Sequence, residues 1–294
     1  MKFLFIDTTH TSLKEKLENA GIHCDYFPNL NYNKVSEIIH QYEGIIIRSK
    51  ITLDAAILRK ATKLKCIGRV GAGMESIDIK TAAELGITCF NSPEGNRDAV
   101  GEHALGMLLT LFNNIGYANE EVKQGIWKRE ENRGIEIKGK TIGIIGYGNT
   151  GSAFAQKLSG FEANVIAYDK YKSNFSNSWV KEVSLAELQA HSDVISFHIP
   201  LTLETHYMFN AEFISKCKKT FYVINTARGP VVNTHDLIQG LNSGKINGAV
   251  LDVIEYEETS FEKIQKFPPE FYELAMFKNV ILSPHIAGWT HESG

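Results

Sequence analysis

The segment KGKTIGIIGYGNTGSAFAQKLSGFEANVIAYDK, residues 138 to 170, constrains the fold more than any other part of the chain. It runs from a strand pattern through a glycine turn into a helical pattern, then into a second strand ending in an acidic residue. That order is one βαβ unit, and such units demand parallel strands with helices laid across the sheet. Within it, GYGNTG sets Gly146, Gly148 and Gly151 in the spacing GxGxxG, between the strand TIGII and the helix SAFAQKL. Gly146 permits the tight turn, Gly148 lets a pyrophosphate approach the main chain, and Gly151 lets helix and strand pack closely. With Asn149 and Thr150 between the last two glycines, the loop opens a helix whose free N–H groups suit phosphate charge. Asp169 ends the next strand, 18 residues after Gly151, where a carboxylate can accept both hydroxyls of an adenosine ribose. The unit therefore predicts a dinucleotide site that prefers NAD to NADP, a preference that Lys170 and Lys172 are close enough in sequence to offset.

The same grammar fills the rest of the chain. KFLFID, HCDYF, GIIIRS, KCIGRV and GITCF read as strands, separated by the helical SLKEKLENA, NKVSEIIHQY, DAAILRKA and ESIDIKTAAELG. After the βαβ unit come the strands DVISFHI, FYVINTA, INGAVLDV and NVILS, alternating with the helical SLAELQA, NAEFISKCKK and HDLIQGLNSG. The chain is thus α/β, with two doubly wound parallel-sheet domains expected over residues 1–95 and 96–285. The second is expected to begin with one long bridging helix from about Asp98 to Lys123, and 294 residues suffice for both.

Composition removes several classes of function. With 31 Lys plus Arg against 34 Asp plus Glu there is no basic excess for nucleic acid. Cys24, Cys66, Cys89 and Cys217 are far apart and mostly in apolar runs, as buried hydrophobes in a reducing compartment are; they suggest neither a disulfide frame nor a metal site. MKFLFIDTT reads as a first strand and not a signal peptide, and no run reaches the ~18 apolar residues needed to span a bilayer. A cytoplasmic protein without membrane or nucleic-acid partners is expected.

A nicotinamide cofactor carries the hydride chemistry, so the protein must supply orientation, charge and a proton route. ILSPHIAGWT places His285 just past a strand's carboxyl end, where catalytic groups of parallel sheets collect, and imidazole exchanges protons near neutral pH. A carboxylate beyond the strand GAVLDV could fix the ring; by spacing Glu255, Glu257 and Glu258 serve equally. YVINTARGPVV ends a strand in an Arg-Gly turn, so Arg228 is the candidate to grip a substrate carboxylate through paired hydrogen bonds. Two earlier stretches offer a further anion hold. GRVGAGMES can turn the N–H groups of Val70, Gly71 and Ala72 toward a carboxylate, and Arg48 and Ser49 end the strand GIIIRS.

These stretches together resemble the D-isomer-specific 2-hydroxyacid dehydrogenases, the family of D-lactate dehydrogenase, 3-phosphoglycerate dehydrogenase and the glyoxylate and hydroxypyruvate reductases. The resemblance covers nearly the whole chain, through VGAGMESIDI, NRDAVGEHALGMLL, GYGNTG, HIPLTLETHYM, FYVINTARGPVV, LDVIEYE and SPHIAGWTHES in that order. It implies a flavodoxin-like substrate domain, with a return segment at about 286–294, into which the NAD-binding Rossmann domain is inserted. It implies Arg228 as the substrate-orienting Arg and His285 as acid/base, and it selects Glu257 as the supporting carboxylate. Cofactor contacts are implied at His198, Pro200, Thr226, Asp252 and Gly288, a substrate contact at Asn96, and a homodimer built through the long-helix region. Ser76 stands where relatives often have Asn, Glu258 where they often have Pro, and Arg97 is an unusual neighbour for Asn96.

The expected reaction exchanges a hydride between nicotinamide and C2 of a small anionic D-2-hydroxy acid. Arg48, Lys50, Arg69 and Arg97 make 3-phosphoglycerate the first candidate. D-lactate and hydroxypyruvate or glyoxylate reduction are the alternatives, and a non-catalytic NAD(H)-sensing regulatory protein is the rival from another class. The aromatic-rich insertion at residues 255–279 reads as a surface cover.

Overall fold

The computed structural model describes residues 1–257 and 267–293. Two compact units emerge. Met1–Asn96 form the first, with Glu257 and the chain from Thr290; Arg97–Tyr256 and the chain up to Trp289 form the second. In the first, β1 (Lys2–Phe5), α1 (Thr11–Asn19), β2 (His23–Tyr26), α2 (Tyr32–Ile38), β3 (Gly44–Ile47), α3 (Ala55–Lys60), β4 (Cys66–Arg69), α4 (Ile79–Glu84) and β5 (Thr88–Asn91) alternate. The strands pair in parallel in the order β2-β1-β3-β4-β5. Strand β3 is buried along its whole length, which is why GIII shows no polar alternation. Leu4, Ile45, Ile47 and Ile67 pack on one face; Phe3, Phe5 and Ile46 pack on the other.

The second unit begins with α5 (Arg97–Phe112) and α6 (Ile115–Lys123). The single long helix expected from Asp98 to Lys123 is therefore two. Asn114 takes φ 52°, and Phe112 O accepts from Ile135 N at 2.9 Å, so the chain ends one helix and starts another. Asparagine tolerates this left-handed conformation better than most residues. There follow β6 (Thr141–Ile145), α7 (Asn149–Lys157), β7 (Asn164–Tyr168), β8 (Lys181–Glu182), α8 (Leu185–His191), β9 (Val194–Phe197), α9 (Ala211–Lys216), β10 (Phe221–Asn225), α10 (Thr234–Asn242), β11 (Ile246–Leu251), α11 (Pro269–Met276) and β12 (Val280–Leu282). All seven strands are parallel, in the order β12-β11-β10-β9-β6-β7-β8. The order reverses at β6 and β9, the crevice where open α/β sheets receive ligands.

Phe197, Phe209, Phe213 and Phe221 fill one face of this sheet, with Leu108, Phe112, Ile144 and Phe154 on the other. Both sheets are thus clad by helices in the doubly wound manner that the βα grammar implies. The insertion over 255–279 lies partly outside the described residues; its described end forms α11, whose Leu274 is buried in the core.

Candidate functional site

The glycine loop leaves β6 at the point of strand reversal. Gly146 sits at φ +92°, and a Cβ on Gly151 would lie 1.9 Å from Gly146 O, so these two glycines are demanded by the turn itself. Gly148 is different: a Cβ there would meet nothing within 4 Å. Internal packing does not account for that glycine, whereas a phosphate approaching the main chain does. Gly148 caps α7 without a side-chain hydrogen bond, and Asn149 and Thr150 form the helix's first turn, their N–H groups directed outward along its axis.

Asp169, just past β7, accepts from Tyr147 N at 2.8 Å through one oxygen and from Tyr171 N and Lys172 N, both at 2.9 Å, through the other. Burial alone would raise its pKa, but these three N–H groups and the Lys172 charge outweigh it and hold the carboxyl below its ordinary range. A cavity beside it is lined by Tyr168, Asn174, Ser176, Glu182, Ser184 and Glu187. With Asp169 itself, Glu182 and Glu187 put three carboxylates there, which disfavour a further phosphate.

His198 and Thr226 follow β9 and β10, and both are buried. Ser196 Oγ meets His198 Nε2 at 2.8 Å, while burial pushes the imidazole pKa down to about 3 and keeps it neutral. His198 Nδ1 and Thr226 Oγ1 have no hydrogen-bond partner among the described residues. Buried polar atoms left without a partner mark a place where a ligand completes the hydrogen bonding. Together with the open space at Gly148, they fit a dinucleotide. Pro200 is exposed beyond the same edge, and Gly288 is half-buried near the end of the unit.

Arg228 is half-buried at the end of β10, with Nη1 donating to Ala227 O at 2.6 Å. The residue after it must be glycine, because a Cβ on Gly229 would lie 1.9 Å from Ile254 O, where the chain leaves β11. Asn225 Nδ2 holds Arg228 O at 2.9 Å, fixing the turn from below.

His285 sits in a turn stapled by Asp252. One Asp252 oxygen accepts from Ile286 N at 2.9 Å, the other from Ala287 N at 2.8 Å, and Asp252 O accepts from His285 N at 2.7 Å. His285 itself is held at φ 55°, a conformation that costs a non-glycine residue on the order of 1–3 kcal/mol. Asp252 is only 1% exposed; burial would raise its pKa, but bonds from His103, Ser283 and the two main-chain N–H groups bring it below the ordinary value. Sequence reading gave Asp252 as an implied cofactor contact and missed that it shapes the histidine turn. Glu255, one of three carboxylates equivalent by spacing, hydrogen-bonds Tyr207 and Tyr256. Glu258 lies outside the described residues.

In the first unit, Arg48 and Ser49 follow β3 and Val70, Gly71 and Ala72 follow β4, all half-buried at one sheet edge. Arg69 Nη1 bends back to Val70 O at 3.0 Å. Asp7, which the sequence reading did not single out, is 7% exposed beyond β1 and accepts from Arg48 N at 2.6 Å. Asn96 closes the unit's main stretch, its buried Oδ1 without a partner among the described residues. Glu257 groups with this unit and is half-buried, whereas Arg228 and His285 belong to the second.

A glycine loop open to phosphate, a half-buried carboxylate held by three main-chain N–H groups at the end of the next strand, and a histidine turn on one parallel edge define a dinucleotide-binding protein of the Rossmann class. Residues 105–287 match the family model for the D-isomer specific 2-hydroxyacid dehydrogenase NAD binding domain. The chain belongs to that family. It is 34% identical over its whole length to D-3-phosphoglycerate dehydrogenase of Archaeoglobus fulgidus, of which it covers 54%. It is 35% identical over 95% of its length to hydroxypyruvate reductase of Thermotoga maritima, covering 87% of that protein. The crystal structure of D-lactate dehydrogenase from Aquifex aeolicus, complexed with NAD and lactic acid, superposes with a TM-score of 0.85 at 32% identity, over 99% of this chain and 90% of that one. The chain spans about half the length of the phosphoglycerate dehydrogenases of Archaeoglobus fulgidus, Synechocystis and Methanocaldococcus jannaschii that it matches. No helix among the described residues is long and apolar enough to cross a membrane.

Proposed function

We propose that this protein is an NAD-dependent oxidoreductase that passes a hydride between nicotinamide and C2 of a small D-2-hydroxy acid or its 2-keto acid. The observation that carries the reading is the shared carboxyl edge of the second sheet, from which the glycine loop, Arg228 and the His285 turn all depart. Bound NAD supplies the hydride acceptor. His285 takes the substrate hydroxyl proton during oxidation and returns it during reduction. Arg228 holds the carboxylate through paired hydrogen bonds and stabilises charge on the reacting oxygen. Glu257 supports the imidazole in its charged form. Arg48, Ser49, the N–H groups of Val70, Gly71 and Ala72, and Asn96 supply the remaining hold on the anion. Asp169 and the acidic cavity beside it favour NAD over NADP.

The first substrate candidate is 3-phosphoglycerate, supported by the cations Arg48, Lys50, Arg69 and Arg97 and by the phosphoglycerate dehydrogenases among the relatives. Reduction of hydroxypyruvate is the second reading, favoured by equal identity to the Thermotoga enzyme. A cytoplasmic homodimer is the expected form; exposed Ile115, Tyr117, Val122 and Trp127 on and after α6 support association through that region. The test is NADH absorbance with paired D and L forms of 3-phosphoglycerate, glycerate and lactate, and with their keto acids in reverse. Turnover confined to D acids is expected. Turnover of L acids, or none across the panel in protein shown to bind NADH, sinks the reading.

A further inference from the structure

The carboxylate that staples the His285 turn is itself tied to a helix far away in sequence. His103 and Met107 lie four residues apart on α5, so they share a face, and that face meets the end of β12. His103 Nε2 stands 3.0 Å from Ser283 Oγ and 3.5 Å from Asp252 Oδ1. Ser283 Oγ in turn lies 2.5 Å from the same Asp252 oxygen and 3.3 Å from Met107 Sδ. A serine hydroxyl has one proton, and the short approach to an acceptor-only carboxylate commits it to Asp252. The hydrogen between His103 and Ser283 must then come from His103 Nε2. The imidazole donates, the hydroxyl relays, and the carboxylate receives.

That polarity matters for what lies beyond. The Asp252 oxygen that receives from Ser283 also accepts from Ile286 N at 2.9 Å, and its other oxygen accepts from Ala287 N at 2.8 Å. His285 lies between Ser283 and these two amides, in a left-handed conformation that its surroundings must impose. The chain His103 to Ser283 to Asp252 to the amides of 286 and 287 therefore encloses His285 on both sides, and every member sits in the second unit.

We propose that His103 is a positioning residue for the acid/base histidine: through Ser283 and Asp252 it locks the turn that aims His285. This deepens the functional reading above and rests on it. His103 touches neither substrate nor cofactor in this role, so its loss should act on kcat through misplacement of the imidazole and leave the binding steps nearly intact.

The test compares His103→Leu, which removes the donor at similar bulk, with His103→Gln, whose side-chain amide can donate from about the same reach, both in the full chain. H103L should lower kcat by on the order of 10- to 100-fold, while KM for the acid and the Kd of NADH stay within about threefold of wild type. Amide exchange at Ile286 and Ala287 should quicken by about tenfold, the loosening expected when one hydrogen bond to a buried turn is lost. H103Q should recover most of both effects, which a purely packing role would not predict. Ser283→Ala cuts the same relay with a smaller change of shape and serves if H103L is poorly folded; the same direction is expected. Unchanged exchange at Ile286 and Ala287 in H103L and S283A, or H103Q as impaired as H103L, overturns the proposal. Exchange is read without substrate, so it judges His103 separately: if His285→Ala keeps wild-type turnover, the reading of His285 falls by itself.

Discussion

Three carboxylates lie just past strand ends in this protein, Asp7 and Asp252 buried and Asp169 half-buried, and they behave differently in its two units. In the second, Asp169 accepts three main-chain N–H groups and Asp252 accepts two, plus Ser283, and both carboxyls are held below their ordinary pKa. In the first, burial is again the largest influence on Asp7, but Arg48 N and the nearby Lys50 and Arg48 charges do not overcome it, and the pKa is raised. The number of converging donors decides the sign. The second edge thus keeps two fixed charges that hold backbone turns in shape. The first keeps a carboxylate that is costly to ionise beside an arginine proposed to meet substrate. In the proposed reading, one edge is organised to aim chemical groups and the other to hold cations near an anionic substrate.

The largest effects should come from the edge that aims. His285→Ala should cut turnover by roughly 10²- to 10⁴-fold, the usual worth of a positioned acid/base, with NADH affinity unchanged by fluorescence titration. Wild-type turnover in H285A would remove the histidine from the mechanism. Arg228→Ala should lower kcat/KM by on the order of 10²-fold or more, with kcat falling as well as KM rising, because the guanidinium serves the charge of the transition state. A rise in KM alone would reduce Arg228 to a binding group.

The glycine loop allows a sharper separation within the same edge. G151A drives a Cβ into Gly146 O and should destabilise the fold by about 1–3 kcal/mol as well as abolish NADH binding. G148A meets no protein atom, so it should fold with unchanged Tm and still lose NADH affinity. If G148A binds NADH normally, the open space above Gly148 is not where the pyrophosphate lies.

Local rules explain what the sequence disclosed and what it hid. The strands of both sheets are legible because parallel strands buried on two faces read as short apolar runs, and the loop at Gly146–Gly151 is legible because turn, close packing and open approach each ask for glycine at fixed spacing. His285 and Arg228 follow from strand ends alone. What was hidden depends on contacts between distant residues. The staple from Asp252 to Ala287 joins residues 35 apart, and the bond from His103 to Ser283 joins residues 180 apart. No periodicity reports either. The break at Asn114 did leave a trace, since consecutive asparagines before Ile-Gly favour a left-handed stop, yet the apolar stripe running across it read as one helix. Asp7 was passed over because an acidic residue after a first strand is ordinary until its burial is known.

The comparison of carboxylates predicts opposite signs for the same substitution. Asp252→Asn replaces an acceptor with an N–H₂ group facing main-chain N–H, and should destabilise by about 1.5–3 kcal/mol, the worth of hydrogen bonds to a charged group. Because the folded pKa of Asp252 lies below its unfolded value, its contribution is present above pH about 3.8 and is lost as pH falls through the folded pKa. Asp7→Asn should do the reverse. Its folded pKa lies above the unfolded value, so the native state holds the proton more tightly and stability drains as pH rises from about 3.8 through the folded pKa. An asparagine, whose carbonyl can still accept from Arg48 N, is spared that loss. D7N should therefore equal or exceed wild type in stability at pH 7, by no more than about 1 kcal/mol, and lose this advantage toward pH 4. Urea titrations of wild type, D7N and D252N at pH 7 and pH 4 read both signs at once. A D7N protein less stable than wild type at neutral pH would mean that the Asp7 charge is paired more strongly with Arg48 than its burial resists.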